Sequence, residues 1–590
     1  MDSEQRWKRK RFHRPTGKLF SLKSLAACVS FFVFLLFVPS GISPIRPVSF
    51  RPVLRVPNLT ILPSRLTLES SHARRSSPPP PLVVEGRVLF PDHLMLIVSS
   101  NVQYGENLEC VYYKKSLDAA ADSGLEQVVV RPALSFDEYH ESKSIVRCLS
   151  PPLNYSAAVD LQRVGDDVNG CGGLLRLNHT AVVPSWDRVV YEAILDWNTA
   201  VLFVKGLNLR PHRDSLATQF RCHFSLSNFD RDDGFVFTTE ATTAAQEVIR
   251  CLLPRSIRNN TEKAEGIRVT ISRVDAGDDA SAAVPQPSVA KVYSTKSQKQ
   301  RSKKNKYDLC ACTMLWNQAS FLREWVIYHG WLGVERWFIY DNNSDDGLQE
   351  VIDELNLSNY NISRHVWPWI KAQEAGFSHC ALRARSECQW LGFFDVDEFF
   401  YFIHHKVQKP PGQNSLRALI TNYTGSPIYA EIRTLCHNFG PSGLTSVPLQ
   451  GVTVGYTCRL QAPERHKSFV RPELLDITLL NAVHHFRLRE GYKSLNVPES
   501  TAIVNHYKYQ VWDTFKAKFF RRVSTYVANW QDAQNKGSKD RAPGLGTMAI
   551  EPPNWQLRFC EVWDTGLKDF VLANFANSAT GFLPWERSLL

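Results

Sequence analysis

The chain has 590 residues, which is more than one hydrophobic core usually supports, so we expect two to four domains. Hydrophobic residues make up 44% of the sequence and aromatic residues 11%, and this composition excludes a disordered or collagen-like protein. The net charge of +11 comes from two short basic tracts, residues 1–24 and 291–306, because the rest of the sequence is nearly neutral. A broad phosphate-binding face, as in nucleic-acid-binding proteins, is therefore not expected.

The first predicted element is a membrane anchor. The basic tail of residues 1–24 precedes an uncharged apolar run at residues 25–38, and weaker apolar character continues to residue 45. Residues 25–45 are just long enough for one spanning helix, which needs about 20 residues. A cleaved signal peptide is the alternative, but residues 39–44 make a poor cleavage site. We expect a single-pass type II protein of the Golgi membrane, with the tail in the cytosol and the remainder in the lumen.

A lumenal location permits disulfide bonds and N-glycosylation, and both can be checked in the sequence. Twelve of the thirteen cysteines follow the predicted span, an even number that is typical of disulfide-bonded proteins. Asn-x-Ser/Thr sequons, which permit N-glycosylation, occur at eight positions. They are Asn58, Asn154, Asn178, Asn259, Asn342, Asn356, Asn361 and Asn422.

Residues 46–81 are rich in proline and are interpreted as an extended stem. Residues 82–290 contain short runs of β-forming residues separated by turn residues, which predicts an all-β module. The module contains a diverged repeat, because Val-Arg-Cys-Leu at 146–149 corresponds to Ile-Arg-Cys-Leu at 249–252, each preceded by another cysteine. One disulfide is expected in each unit, Cys110–Cys148 and Cys222–Cys251, and Cys171 is left unassigned.

The basic tract at residues 291–306 is interpreted as a solvated linker, with a polyanion-binding or processing site as the alternative. From residue 307 the pattern predicts strands alternating with helices. Strands are expected at 309–315 and 337–340, helices at 319–332 and 348–355, and an acidic loop at 341–347. Such units build a mostly parallel sheet whose ligands lie beyond the carboxyl ends of the strands.

The most informative segment is Trp-Leu-Gly-Phe-Phe-Asp-Val-Asp-Glu at residues 390–398. If the apolar strand continues through it, Asp395 and Asp397 project from one face. Two carboxylates this close repel each other unless a cation or a proton lies between them, and they suit Mn²⁺ or Mg²⁺ that also binds a diphosphate. A glycoside hydrolase is disfavoured because its two carboxylates must stand about 5 to 9.5 Å apart across the scissile bond.

Several segments, taken in order, resemble glycosyltransferase family 92 over residues 307–530. They are residues 312–317 (CTMLWN), 321–329 (FLREWVIYH), 340–347 (YDNNSDDG), 395–399 (DVDEF), 465–472 (RHKSFVRP) and the histidine-rich segments around His484 and His506. The resemblance implies a GT-A-type, Rossmann-like α/β fold for residues 307–590, a nucleotide-sugar donor, usually UDP-galactose, Mn²⁺ and inversion at the anomeric carbon. The preceding β-rich part is similar to the carbohydrate-binding module of plant β-1,4-galactan synthases in that family.

The resemblance also implies roles for individual residues. On the donor side, Asp341 and Asn342 would lie where such enzymes hold uracil and ribose, near Asn317, and Glu324 would fix the first helix against them. Helix packing is the alternative for Glu324 and His329. His484 and His506 are both candidates for a further metal ligand beside Asp395 and Asp397, with a packed strand histidine as the alternative for each.

Three basic residues near the end of the resemblance, Arg465, Lys467 and Arg471, could offset the charge of a diphosphate, or could simply form a solvated basic strand. The loop at residues 438–443 could shape the acceptor cleft, with Gly440 and Gly443 allowing close backbone approach. An inverting reaction needs a general base near the acceptor hydroxyl. The candidates are Glu431, His437 and Glu464, of which Glu464 is preferred, and Glu398 is expected to support the metal ligands.

The leading hypothesis is a membrane-anchored hexosyltransferase that acts on a cell-wall polysaccharide or other glycan, with pectic galactan as one acceptor, and that binds no nucleic acid. A homodimer is left open. The alternative is a lumenal polysaccharide-binding protein with an inactive transferase domain, in which Trp186 and Trp197 stack on sugar rings. Tryptophans of this kind more often belong to the core of a module.

Overall fold

The structure is a computed structural model that describes residues 82–99, 106–114, 128–140, 143–165, 183–207, 209, 213–225, 235–274, 284–295, 306–403, 412–526 and 551–586. All of them belong to one compact unit, Ser71–Leu590. The predicted tail, membrane span and stem lie outside the described residues, as do Cys171 and most of the basic linker. None of the helices in the described ranges has the length and apolar character needed to cross a membrane.

The first part of the chain forms two sheets that face each other. Its strands are β1 (Val84–Leu89), β2 (His93–Val98), β3 (Leu108–Tyr113), β4 (Val128–Pro132), β5 (Ser135–His140), β6 (Lys143–Leu149) and β7 (Asp160–Arg163). One sheet has the order β1-β2-β6-β5 and the other β4-β3-β7. The predicted disulfide Cys110–Cys148 is confirmed and joins the two sheets through their buried faces.

The second part forms one eight-stranded sheet. Its elements are β8 (Val190–Asp196), β9 (Thr199–Val204), β10 (Asp214–Ser215), β11 (Phe220–Phe224), β12 (Phe237–Ala245), β13 (Val248–Leu252), α1 (Arg255–Arg258), β14 (Val269–Arg273) and β15 (Val292–Tyr293). The predicted disulfide Cys222–Cys251 is also confirmed, and it links β11 to β13 across β12. We refer to residues 82–293 as the β module.

Residues 307–586 form an α/β domain whose first elements agree with the sequence prediction. They are β16 (Tyr307–Leu315), α2 (Ala319–Leu332), β17 (Arg336–Asp341), α3 (Leu348–Leu357), β18 (Ile362–Val366), α4 (Gln373–Ala384), β19 (Cys388–Phe393) and β20 (Glu398–Phe402). Helix α2 ends at Gly333, whose φ of 107° is left-handed and whose missing Cβ leaves room for Arg417.

The remaining elements extend the same sheet and cover it. They are α5 (Ser415–Thr421), β21 (Tyr429–Asn438), α6 (Val452–Gly455), β22 (Cys458–Arg459), β23 (His466–Val470), β24 (Asn481–Ala482), β25 (His485–Phe486), β26 (Lys493–Asn496), β27 (Ala502–His506), α7 (Trp512–Tyr526), β28 (Val562–Trp563) and α8 (Gly566–Phe575). The main sheet has the order β18-β17-β16-β19-β23-β21-β27-β20. Its first four strands are parallel.

Three further disulfides stabilise the α/β domain. Cys310–Cys388 joins the neighbouring strands β16 and β19, Cys312–Cys380 joins β16 to α4, and Cys458–Cys560 joins β22 to the segment before β28. Cys310 and Cys312 therefore serve as two structural anchors of the same strand. Among the described cysteines, Cys436 alone is outside a disulfide, and it is buried.

Candidate active site

The order of the parallel strands creates a crevice at one edge of the sheet. From β16 the chain proceeds to β17 and β18 on one side, and then to β19 on the other side of β16. The connections that follow the neighbouring strands β16 and β19 therefore leave the sheet in opposite directions. In open α/β sheets this is the position at which ligands bind.

Three carboxylates follow β19 at this edge. The strand ends at Phe393 and β20 begins at Glu398, so Asp395 and Asp397 lie in the connection. The expectation that they share one face of a strand is therefore wrong. The Asp395 side chain is 30% exposed and that of Asp397 is 5% exposed. Glu398 contacts both Asp395 and His506, because its Oε2 accepts the Asp395 N–H at 2.8 Å and its Oε1 lies 3.6 Å from His506 Nδ1.

Two ammonium groups lie among these carboxylates. Lys467 Nζ is 2.5 Å from Glu398 Oε1 and 3.8 Å from Asp395 Oδ2, and Lys518 of α7 pairs with Asp397. Burial raises the pKa of Glu398 to about 8, and the two aspartates add to this effect while Lys467 opposes it. Burial alone would also raise the pKa of Asp397, but Lys518 and His506 hold it below its ordinary value. Positive charge at this edge thus determines which carboxylates are ionised.

Both candidate histidines lie beside the carboxylates. His484 Nε2 is 3.6 Å from Asp395 Oδ2 and 2.6 Å from Lys467 Nζ, and His506 Nε2 is 3.4 Å from Asp397 Oδ2. Burial lowers the pKa of His506 to about 3 and that of His484 well below its ordinary value. Both imidazoles are therefore neutral at physiological pH, which is the form that binds a metal.

The donor atoms fit a divalent cation. One group consists of Asp395, Glu398 and His484, and a second consists of Glu398, Cys436 and His506. In each group the atoms lie within 4.8 Å of one another. Oxygen and imidazole donors suit Mn²⁺, and closely spaced carboxylates gain most from a cation that binds between them. Glu398 is common to both groups, so it is placed more centrally than the supporting role expected from sequence.

The loop after β17 is held by its own polar side chains. Asn317 Nδ2 donates to Asp345 Oδ1 at 2.5 Å, and its Oδ1 accepts the Asp345 N–H at 2.9 Å. Asn342 Nδ2 donates to the carbonyl of Trp367 at 2.6 Å. Asp341 is fully buried, and its Oδ1 accepts the Ser344 N–H at 2.9 Å. Asp341 therefore shapes the loop with a side chain that is not exposed to a ligand.

Glu324 does not reach this loop. Its buried carboxylate accepts the N–H groups of Val452 and Thr453 at 2.8 and 3.0 Å and the Thr453 hydroxyl at 2.5 Å, which satisfies the start of α6. Gly451 makes this approach possible, since a Cβ there would lie 2.5 Å from Glu324 Oε2. His329 is similarly committed, because its Nδ1 bonds the Trp325 carbonyl and its Nε2 accepts the Phe400 N–H. For both residues the helix-packing alternative describes what is observed.

Among the three candidate bases, Glu431 is tied to other side chains. It is fully buried and accepts hydrogen bonds from Ser468 Oγ at 2.7 Å and Arg433 Nη2 at 2.6 Å. His437, on the same face of β21, is held by Arg459 Nη1 at 3.0 Å and Glu499 Oε1 at 2.9 Å. Because arginine can only donate, Nδ1 of His437 is the acceptor and Nε2 carries the proton.

Glu464 is the candidate whose carboxylate is accessible. Its side chain is 50% exposed, and it accepts hydrogen bonds from Asn438 Nδ2 at 2.5 Å and Lys508 Nζ at 3.2 Å. Asn438 lies on the face of β21 that also carries Cys436, since residues two apart on a strand share a face. Burial opposes ionisation of Glu464, but Lys508 and Asn438 outweigh it and lower the pKa, so the group is an anion at neutral pH.

The three basic residues of the 465–472 segment have different positions. Lys467 lies in the acidic cluster, whereas Arg465 is exposed just before β23. Arg471 follows Val470, which pairs with Leu391, and its guanidinium lies over the Trp390 ring. That is the end of β19 away from Asp395, so the prediction that Arg471 offsets a diphosphate at this edge is wrong.

Two residues of the acidic cluster were missed by the sequence reasoning. Lys518 lies more than one hundred residues after Asp397 in a helix whose lysines show no distinguishing pattern. Cys436 had no signal in the sequence either, because the twelve cysteines after the predicted span are an even number and only the structure shows which one is outside a disulfide. Its thiol pKa is raised by burial and by the nearby Glu398 carboxylate.

Comparison with known sequences gives matches along the chain. The sequence model of glycosyltransferase family 92 matches residues 305–541. A curated glycosyltransferase family 92 protein of Ricinus communis is 69% identical over 591 residues, covering 100% of both chains. Another from Arabidopsis thaliana is 55% identical over 563 residues, covering 94% of this chain and 93% of that protein.

Comparison with solved structures gives partial overlaps at low identity. A mannosyltransferase from Pyrobaculum calidifontis, in complex with GDP-Man and Mn²⁺, has 11% identity and a TM-score of 0.24, covering 41% of this chain and 67% of that one. The enzyme GalNAc-T7 with UDP, GalNAc and Mn²⁺ has 13% identity and a TM-score of 0.21, covering 35% and 44%.

Proposed function

The chain belongs to glycosyltransferase family 92, and from that premise we propose that it is a metal-dependent, inverting hexosyltransferase with a GT-A-type catalytic domain. The donor proposed is UDP-galactose, the cation Mn²⁺ or Mg²⁺, and the acceptor a cell-wall polysaccharide or other glycan such as pectic galactan. The observation that carries the proposal is the cluster of Asp395, Asp397 and Glu398 beside two neutral histidines at the switch point of the sheet.

The residues at the sheet edge suit the diphosphate and the nucleoside of a nucleotide sugar. When bound, a divalent cation supplies Lewis-acid stabilisation of the departing diphosphate. Asp395, Glu398 and His484 are the residues that would hold it, with His506 and Cys436 as a second set that shares Glu398. The loop at residues 341–347 supplies a rigid polar surface for the nucleoside, because Asp341 accepts the Ser344 N–H and Asp345 accepts a hydrogen bond from Asn317.

Glu464 is proposed as the general base. Its ionised carboxylate accepts the proton of the acceptor hydroxyl as that oxygen attacks the anomeric carbon from the side opposite the diphosphate. Asn438 and Lys508 orient this carboxylate. We expect Glu464→Gln to lower kcat by about 10²- to 10⁴-fold with little change in donor affinity.

The test is sugar-nucleotide turnover, in the presence of Mn²⁺, by the purified protein lacking residues 1–70, which removes the predicted tail, the anchor and most of the stem. A panel of UDP- and GDP-sugars with galactan oligosaccharides identifies the donor, and NMR of the product reports the anomeric configuration. Asp397→Ala should abolish nucleotide release, whereas Asp214→Ala, which removes a half-exposed carboxylate of the β module, should not change it. Equal rates for wild type and Asp397→Ala, or a retained configuration, would refute the proposed mechanism.

The same experiment separates enzyme from binding protein. Trp197, at the β8–β9 turn, is 82% exposed, whereas Trp186 packs against the core. If wild type bound galactan but released no nucleotide from any donor, the polysaccharide-binding alternative would replace the transferase.

We further propose that the protein is a Golgi membrane protein of type II topology, anchored by residues 25–45. In that case the catalytic part meets the N-glycosylation machinery during synthesis. Asn154, Asn259 and Asn422 are exposed and should carry glycans, whereas Asn342, Asn356 and Asn361 donate their amide groups to other residues of the fold and should not. Glycosidase digestion and peptide mass spectrometry of protein from its native membranes would test this, and unmodified asparagine at Asn154, Asn259 and Asn422 would count against a lumenal location.

A further inference from the structure

A chain of polar contacts connects the β module to the loop that follows β17. Its members are Asp341 and Arg364 of the α/β domain, Asp137 and Arg147 of the β module, and Asn343 of the loop. Each member contacts the next in that order. The two end members, Asp341 and Asn343, both belong to the loop at residues 341–347. We call it the loop–module chain.

Arg364 is the first link. Its Nε and Nη2 donate to Asp341 Oδ2 at 2.8 and 2.6 Å, and the same Nη2 donates to Asp137 Oδ1 at 2.9 Å. Asp341 is fully buried, and Arg364 is only 16% exposed. Charge-assisted bonds of this kind are strong and directional, so the orientation of the Asp341 side chain depends on a guanidinium shared with the module.

Arg147 is the second link and contacts the loop directly. Its Nη1 donates to Asp137 Oδ2 at 2.5 Å, and its Nη2 donates to Asn343 Oδ1 at 2.6 Å. Asn343 has a φ of 66°, a left-handed conformation that asparagine adopts more readily than other non-glycine residues but that still gains from support by its surroundings. The Arg147 contact supplies part of that support from outside the α/β domain.

Other contacts of the loop come from the α/β domain itself. Asn342 bonds the Trp367 carbonyl, Ser344 Oγ accepts the Asn317 N–H at 2.9 Å, and Asp346 Oδ2 accepts the Ala319 N–H at 2.8 Å. These contacts bind the loop to β18 and to the start of α2. Asn343 is the loop residue that accepts a hydrogen bond from the β module, through Arg147.

We propose that Arg147 and Asp137 of the β module are positioning residues for the nucleotide-binding loop, so that donor affinity depends on a domain that does not contain the acidic cluster. The inference rests on the proposed function, since it assigns the loop at 341–347 to the nucleoside of the donor. A loop that is held in its binding conformation before the ligand arrives loses less entropy on binding. Loss of the module contact therefore weakens nucleotide binding before it affects the chemical step.

A purely structural role for these residues gives a different result. In that case removing Arg147 lowers thermal stability, and nucleotide affinity of the folded protein stays unchanged. Arg87 is a matched control, because its Nη2 pairs with Asp160 Oδ1 at 2.6 Å inside the module and its side chain is 13% exposed, against 10% for Arg147.

The experiment is isothermal titration of UDP, in Mn²⁺, into wild type and into the Arg147→Ala, Arg147→Lys and Arg87→Ala variants of the complete lumenal protein, with donor KM and kcat for each. We expect Arg147→Ala to raise the UDP Kd and donor KM roughly tenfold, with kcat within about threefold of wild type. Arg87→Ala should bind UDP as wild type does, although both variants lose thermal stability. Arg147→Lys keeps a charge beside Asp137 but cannot make both bonds, so it should fall between wild type and Arg147→Ala.

The outcomes separate this inference from the proposed function. Equal UDP affinity in wild type and Arg147→Ala, or equal losses in Arg147→Ala and Arg87→Ala, would refute the positioning role and leave the transferase assignment standing. If Arg147→Ala does not fold, the Arg147→Lys comparison decides. Failure of wild type itself to bind UDP, GDP or ADP would refute the proposed function and this inference with it.

Discussion

The polar contact between the β module and the α/β domain differs from the acidic cluster in how its charges are balanced. In the loop–module chain, the two arginines alternate with the two aspartates, and each bond measured lies between 2.5 and 2.9 Å. In the acidic cluster, three carboxylates share two ammonium groups, and several of the contacts are 3.4 Å or longer. The first arrangement is complete as it stands, whereas in the second the raised pKa of Glu398 shows that a third negative charge is not compensated, and a divalent cation would allow all three carboxylates to ionise. Charge balance therefore distinguishes polar groups that hold the fold from those that bind a ligand.

The largest expected effect comes from breaking the balanced region at Arg364. Arg364→Ala leaves the fully buried Asp341 carboxylate without its counter-ion. An unpaired buried charge of this kind typically costs about 3–5 kcal/mol. We expect the free energy of unfolding, measured by urea denaturation at pH 7, to fall by that amount.

The double variant Arg364→Ala/Asp341→Asn is the control. It removes the charge that would otherwise be stranded, so it should recover at least about half of the loss. A single-variant loss below about 1 kcal/mol, the range of exposed ion pairs, would show that the chain is not balanced in the way described.

The same interface contains a buried acid whose state changes with pH. Glu192 accepts a hydrogen bond from Tyr139, near Tyr293 and His379, which bond each other. Burial raises its pKa to about 8 from an ordinary value of 4.5. Because the folded state then retains a proton that the unfolded state releases, the contribution of Glu192 to stability is full below pH 4.5, falls as pH rises and is lost above about pH 8.

Glu192→Gln should therefore be more stable relative to wild type at pH 7 than at pH 4.5, by about 3 kcal/mol. Glutamine keeps an acceptor for Tyr139 and has no charge to bury. The measurement is the difference in unfolding free energy between the two proteins across this range. A difference that stays constant with pH would mean that the pKa of Glu192 is the same in the folded and unfolded states.

The sequence was sufficient for what local pattern determines. The alternation of β16, α2, β17 and α3 was predicted within two residues at each end, and both disulfides of the β module follow from its internal repeat. The acidic residues after β19 were found because an apolar strand leads directly into them. Their orientation was not, since the strand ends at Phe393 before either aspartate.

Contacts between distant segments could not be predicted in this way. Arg147 and Asn343 are separated by 196 residues, and no spacing rule connects them. Arg471 shows the opposite error. The basic segment at residues 465–472 suggested that Arg471 binds a diphosphate near Asp395, but the register of β23 places it at the other end of the strand. Sequence pattern determines which elements form, whereas the assembled sheet determines which side chains meet.

The smallest effect tests the unbalanced region through Lys518. This lysine pairs with Asp397, a carboxylate that is only 5% exposed. Lys518→Met removes one of the two ammonium groups of the cluster and leaves the neutral His506 3.4 Å from Asp397. We therefore expect the free energy of unfolding of the metal-free protein to fall by about 2 kcal/mol. If the cluster binds a divalent cation, Mn²⁺ takes over the charge compensation and should restore most of this loss, because it no longer competes with an ammonium group.

The increase in Tm on adding Mn²⁺ should then be larger in Lys518→Met than in wild type. The control Lys516→Met changes an exposed lysine on the same helix and should match wild type. A variant that loses stability without any response to Mn²⁺ would show that the ammonium groups already complete the cluster, and the contrast with the loop–module chain would disappear.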